Sequence, residues 1–355
     1  MPATASESVC FYGAREIDKH LSAMRAEVEG VRQGSDIEYV HRMRVASRRM
    51  RTALSLFSGF FPDKKHKKII KTMRTVTSSL GEARDLDVQL ALPEKVFQET
   101  PPQRALPGLR RLQLRLKQQR AEAQSHVSLA MDRFSVEQTA ETLQEWINPY
   151  LISGRNVYLF SPALYELAFT SIRKRIEELL AHEPYIYDPQ EVTQLHAMRI
   201  SAKRLRYTME AFDDLYSGRL KPYINLTKDL QDDLGTLHDL DVWIAMIPRF
   251  TSEEQERIRA YYGTDGPLRR LLPGLRWFQQ SRSVQREAVY ASFIARWEKL
   301  KQQDTFENLL KLINAPFDLE QTLLAMRMQA AKPEAGPQPE AGEAPQESEP
   351  PHSEE

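Results

Sequence analysis

The stretch His41-Arg42-Met43-Arg44-Val45-Ala46-Ser47-Arg48-Arg49-Met50-Arg51 recurs 155 residues later as His196-Ala197-Met198-Arg199-Ile200-Ser201-Ala202-Lys203-Arg204-Leu205-Arg206. Wound at about 100° per residue, His41, Arg44, Arg48 and Arg51 fall within an arc of about 80°. Met43, Met50, Leu54 and Phe57 lie on the opposite side, the mark of a helix with one face in a core. The second copy repeats the pattern, with His196, Arg199, Lys203 and Arg206 in front and Met198, Leu205, Met209 and Phe212 behind. Each basic stripe runs about 15 Å along its helix. That is too long for one phosphate and suits an extended chain of anions.

Two further blocks repeat in the same order. Leu80-Gly81-Glu82-Ala83-Arg84-Asp85-Leu86-Asp87-Val88 matches Leu234-Gly235-Thr236-Leu237-His238-Asp239-Leu240-Asp241-Val242 at an offset of 154. Leu106-Pro107-Gly108-Leu109-Arg110 matches Leu272-Pro273-Gly274-Leu275-Arg276, and ten residues after each terminal arginine stand Arg120 and Arg286. Three ordered repeats divide the chain into a first unit over 1–155 and a second over 156–315. Two such units are expected to pack as one pseudo-symmetric domain.

Between the body's prolines lie Pro-free segments with helical apolar spacing, and strand-type alternation is essentially absent. The expectation is an all-α protein with helices near 12–32, 37–59, 64–91, 107–132, 136–148, 162–182, 190–216, 222–246, 252–262 and 274–312. An extension over 316–331 follows. The segment 332–355 holds one Lys and seven Glu with many Pro, Ala and Gly and no large apolar residue. Such a composition predicts disorder.

The chain's 49 Lys+Arg against 49 Asp+Glu give a formal charge of zero over 355 residues. With −6 in the tail, the body carries +6. A tail lying over the basic surface would compete with an anion, and its deletion would then tighten binding. The single Cys10 excludes an internal disulfide and a cysteine-cluster metal site. No apolar run is long enough for a membrane span and no secretory leader opens the chain, so the expectation is a cytoplasmic protein without a membrane partner.

A charged helix face is ordinarily a solvated one, with mixed signs. From His41 to Arg74, however, eleven Lys/Arg face a single acid, Asp63. Lys64, Lys67, Lys68, Lys71 and Arg74 form a second basic stripe on the next helix. Concentrated like charge is self-repulsive, so a resident anion is the simpler account. Arg110, Lys117 and Arg120 add cations in the first half; Lys221, Lys228, Arg276 and Arg286 add a thinner set in the second. His41 and His196 are candidate donors to phosphate oxygen. The Asp pairs at 85/87 and 239/241 are i,i+2 on a helix and point apart, so they make no acid–base pair. They are expected to orient arginines such as Arg49 and Arg204, or to cap helix contacts. His238-Asp239 resembles the His-Asp dipeptide of metal phosphohydrolases, but Arg84 takes its place in the first half. No metal or other cofactor is expected.

The His41-x-x-Arg44-x-x-x-Arg48-x-x-Arg51 and His196-x-x-Arg199-x-x-x-Lys203-x-x-Arg206 stripes, with the two Leu-Gly-x-x-x-Asp-Leu-Asp-Val blocks, resemble the CHAD family, the conserved histidine α-helical domain. The likeness runs from about Ala14 to Leu312. It implies two four-helix bundles related by a pseudo-twofold axis, a central basic surface that binds inorganic polyphosphate, and association with polyphosphate granules. Many members of that family also carry a triphosphate-tunnel β-barrel; here there is no strand-rich segment and no Glu-x-Glu-x-Lys signature. The expected function is therefore non-catalytic polyphosphate binding. Nucleic-acid binding by the same surface and metal-dependent phosphohydrolysis stand as alternatives; the sequence leaves the oligomeric state open.

Overall fold

The computed structural model describes residues 7–34, 36–60, 63–98, 100–136, 139–153 and 161–315, apart from the side chains of 60, 63–65, 94, 98, 133–136, 139 and 153. The segments 316–331 and 332–355 lie outside the described residues. Residues 1–315 form one compact unit. Among the described residues there are ten α-helices and no strand.

The first half comprises α1 (Glu7–Gln33), α2 (Ile37–Leu56), α3 (Asp63–Gln98), α4 (Leu106–Val136) and α5 (Thr139–Ser153). The second comprises α6 (Pro162–Leu180), α7 (Val192–Phe212), α8 (Lys221–Tyr262), α9 (Leu272–Gln302) and α10 (Thr305–Asn314). Helices α1 to α4 pack as a bundle with α5 against α1; α6 to α9 pack in sequence with α10 against α6 and α9. The two halves meet where α2 crosses α7 and where α4 crosses α9.

Local signals account for the helix starts. The Asp36 carboxylate caps α2 by accepting from the Glu38 amide at 2.8 Å. Ser161 caps α6 by accepting from the Leu164 amide at 3.3 Å, with Pro162 in the first turn. Gly263 ends α8 at φ 69°, a left-handed conformation that costs glycine little.

Three expected boundaries are corrected. The sequence predicts separate helices over 222–246 and 252–262, whereas α8 runs unbroken through Pro248. Proline removes the hydrogen bond to the carbonyl four residues back. That carbonyl, Ile244 O, instead accepts from Gln279 Nε2 of α9 at 3.1 Å, so the bond is replaced across the hairpin. Conversely, the expected single helix over 274–312 breaks at Asp304, which sits at φ 48°, and α10 follows as a separate helix. Helix α3 also extends past its expected end to Gln98, through Pro93.

The main core runs through both halves. The predicted inward residues Met43, Met50, Leu54, Phe57, Met198, Leu205, Met209 and Phe212 are all fully buried. Phe57 and Phe212, equivalent positions of the repeat, meet edge-on with ring centroids 6.0 Å apart. Burying each contributes roughly 1.5–3 kcal/mol. A second core joins the far ends of the long hairpins, with Leu109, Leu112 and Leu116 against Trp243, Phe250, Leu275 and Phe278. At that end the third sequence repeat closes on itself. A methyl group on Gly108 would lie 3.1 Å from Gly274 Cα, and one on Gly274 3.1 Å from Gly108 Cα. Only glycine at both positions allows the α4 and α9 backbones to come this close.

Candidate functional site

Because the apolar faces of α2 and α7 are drawn into the core, their basic stripes turn towards the crossing between them. There Lys203 feels Arg48, Arg199, Arg44 and Arg204, while Arg44 feels Arg48 and Arg199. Five cations from two distant stretches of sequence thus share one electrostatic neighbourhood. A cavity of about 680 Å³ opens beside them, walled by α2, α3 and α7 and by Arg175 of α6. Arg44, Arg48, Arg51, Arg74, Arg175, Lys203 and Arg204 supply positive charge against the two carboxylates of Glu82 and Asp85; Thr52, Ser55, Thr77 and Ser78 supply hydroxyls.

Burial, then the neighbouring guanidiniums of Arg48 and Arg199, pull the Lys203 ammonium down to about 7. Burial and Arg48 take Arg44 down to about 10, so it stays charged at neutral pH. Burial followed by Arg74 and Arg48 lowers Arg51. His41 is lowered by burial and then Arg84, and His196 by burial, Arg199 and Lys203, so both imidazoles are neutral at pH 7. His196 Nδ1 lies 2.9 Å from His238 Nδ1, so one of the two rings carries the shared proton. Three buried atoms of the stripe residues, His41 Nδ1, Arg44 Nε and Arg206 Nε, have no hydrogen-bond partner among the described residues.

The second sequence block explains how these cations are seated. A methyl on Gly81 would lie 3.7 Å from Arg44 Nε and one on Gly235 3.7 Å from Arg199 Nε, both ordinary contact distances, so the paired glycines stand directly beside the paired arginines. Asp85 accepts from Arg44 Nη2 at 3.4 Å, but its carboxylate is 67% exposed and neutralises little. The following aspartates do different work. Asp87 accepts from Arg120 Nε at 2.6 Å, and Asp241 accepts from Arg286 Nε, tying α3 to α4 and α8 to α9.

The structure therefore gathers Arg44, Arg48, Arg51, Arg74, Arg199 and Lys203, with His41 and His196 at the margins. Arg120 and Arg286, expected at the anion surface, are instead held by the aspartates Asp87 and Asp241. Arg206 lies 3.7 Å from Glu210 and stacks on Tyr207. Lys67, Lys68 and Lys71 are exposed on α3 outside the cavity, and the side chain of Lys64 lies outside the described residues. Arg110, Lys117 and Arg276 are exposed on α4 and α9, away from the crossing, and Lys228 is exposed on α8. Lys221 lines a separate cavity with Asp213 and Asp214. Nor do the repeat aspartates orient Arg49 and Arg204: Arg49 donates to Glu210 at 2.8 Å, and Arg204 lines the basic cavity. Arg175 and the role of Arg204 carry no signal in the sequence stripes. Arg204 is one residue off the stripe, and only the helix crossing turns it inward.

The lowered Lys203 ammonium has a consequence for stability. An unfolded chain binds this proton up to the ordinary 10.5, the folded one only up to about 7. The unfolded state therefore holds more protons between those values, and stability rises as pH climbs from about 7 to about 10. Lys203→Met is expected to remove that rise and to stabilise the fold at pH 7 by about 1 kcal/mol. Urea denaturation of both proteins at pH 6.5 and 9.5 checks it.

Among the described residues no group of three or more His, Cys, Asp or Glu could hold a metal ion. No described helix is long and apolar enough to cross a membrane.

An all-α protein with repeated sequence blocks and a cationic crossing of α2 and α7 is the class that fold and site define. Residues 15–248 match the model of the CHAD domain, and the chain belongs to that family. Among solved structures it is similar to the CHAD domain from the plant Ricinus communis, at 20% identity and a TM-score of 0.58 over 83% of this chain and 94% of that one. It is also similar to PptA from Streptomyces chartreusis, at 16% identity and a TM-score of 0.58 over 83% of this chain and all of the other. Identities this low carry the fold alone. No curated protein matches the chain.

Proposed function

We propose that this chain binds inorganic polyphosphate without catalysis, in the cavity beside the α2–α7 crossing. The observation that carries the reading is the gathering of Arg44, Arg48, Arg199 and Lys203 with too few carboxylates to offset them. A linear polyanion supplies the missing charge along the groove, and guanidinium forks suit phosphate oxygens. Membership of the CHAD family supports the same reading, and recruitment to polyphosphate granules in the cytoplasm would follow from it. The one aromatic ring lining the cavity, Tyr207, is 6% exposed and offers no platform for base stacking, which disfavours single-stranded nucleic acid.

Titration with polyphosphates of defined length at two salt concentrations tests the proposal. Affinity is expected to rise with chain length until the groove is spanned and to fall steeply with salt. Binding near pH 8 should also take up a proton, because the anion restores the charge on Lys203. RNA of equal charge displacing polyphosphate, or release of orthophosphate on adding Mg²⁺, would reverse the reading.

A further inference from the structure

The repeat that builds one groove should build a second at the matching positions of the other half. In register, Arg51, Ser55, Arg74, Thr77 and Ser78 of the first groove correspond to Arg206, Glu210, Lys228, Gln231 and Asp232 of the second. Each first-half residue in that comparison lines the cavity. The second set keeps the two cations but places carboxylates at two of the three hydroxyl positions.

The carboxylates are engaged. Glu210 accepts from Arg49 at 2.8 Å and lies 3.7 Å from Arg206. Arg49 is the repeat equivalent of Arg204, and Arg206 that of Arg51. In the first groove Arg204 and Arg51 face the small hydroxyl of Ser55; in the second their counterparts already hold a carboxylate. Nearby, Asp233 accepts from Arg296 at 2.6 Å, and Asp229 lies 3.8 Å from the same guanidinium. A phosphate entering there would have to displace Glu210 and lie beside Asp232, at the cost of like-charge repulsion.

We infer that this chain presents one anion groove rather than two, and that Glu210 closes the second by occupying the place a phosphate group takes in the first. This deepens the polyphosphate reading and rests on it. The bound chain lies on the α2–α3 side of the crossing, so the duplicated fold works asymmetrically.

The test is calorimetric titration with a short linear polyphosphate of about eight phosphates. One chain per protein is expected. Ser55→Glu, at an exposed position that tolerates the change, should lower affinity at least tenfold. Arg51→Ala and Arg74→Ala should each lower it several-fold, while Arg206→Ala and Lys228→Ala leave it within twofold. Glu210→Ser should admit a second chain, moving the stoichiometry towards two. Equal losses for the two arginine and lysine pairs, or wild-type affinity in Ser55→Glu, would overturn the inference. A ligand-free arm separates this from failure of the polyphosphate reading. Phenylglyoxal is expected to modify Arg51 and Arg204 faster than Arg206 and Arg49, with the difference abolished in Glu210→Ser. Equal rates in the wild-type chain overturn the asymmetry whether or not polyphosphate binds.

Discussion

Changing Arg44, Arg48, Arg199 and Lys203 together to alanine is expected to lower polyphosphate affinity about a thousandfold while leaving the helices folded. A hydrogen bond to a charged group contributes about 1.5–3 kcal/mol when well formed. Here each cation also relieves repulsion from its neighbours when the anion arrives, and each competes with solvent, so about 1 kcal/mol apiece is the conservative figure. Four such losses make about three powers of ten. The fold should not suffer, because these side chains repel one another in the free protein and none of them fills the core. The urea midpoint is therefore expected to hold or rise. Affinity within threefold of wild type, measured calorimetrically at low salt, would remove the site from the α2–α7 crossing.

Gly274→Val should have the largest effect on stability, about 3 kcal/mol or more. Its β-carbon would run into the Ala105 carbonyl and sit 3.1 Å from Gly108 Cα, both of them backbone atoms that cannot swing aside. The α4–α9 crossing would have to open, and with it the second core around Trp243 and Phe278. Gly81→Ala is the control. Its methyl meets only the Arg44 guanidinium, at ordinary contact distance, and it gains helix propensity of about 0.5–1 kcal/mol. Thermal denaturation of the two variants should move in opposite directions. A Gly274→Val protein as stable as wild type would mean that the two backbones do not touch.

Much of the site was legible because helical periodicity is local. The spacing His41, Arg44, Arg48, Arg51 and its echo at His196, Arg199, Lys203, Arg206 placed the cations on one face, and the buried methionines behind them placed the core. The repeat of Leu-Gly-x-x-x-Asp was visible, but its meaning was not. That Gly81 and Gly235 lie beside Arg44 and Arg199 depends on which helix lies above them. The partners of Asp87 and Asp241 are not legible in the sequence, since their arginines stand 33 and 45 residues away on the next helix. Pro248 signals a helix end in the sequence, which gives no sign that Gln279 replaces the lost hydrogen bond.

The sequence by itself determined that this protein is helical and duplicated, with a basic stripe on the outer face of one helix in each half. Those properties follow from side-chain order along a 3.6-residue turn, which needs no knowledge of neighbours. Tertiary structure alone decided which cations matter. Net charge counts Arg120, Arg286, Arg206 and Arg44 alike, whereas electrostatic energy depends on distance and burial. Folding brings a carboxylate to each of the first three from the next helix or the next turn. Arg44 is left beside Arg48, Arg199 and Lys203 in a partly closed cavity, where Asp85, two-thirds exposed, offsets little of the charge.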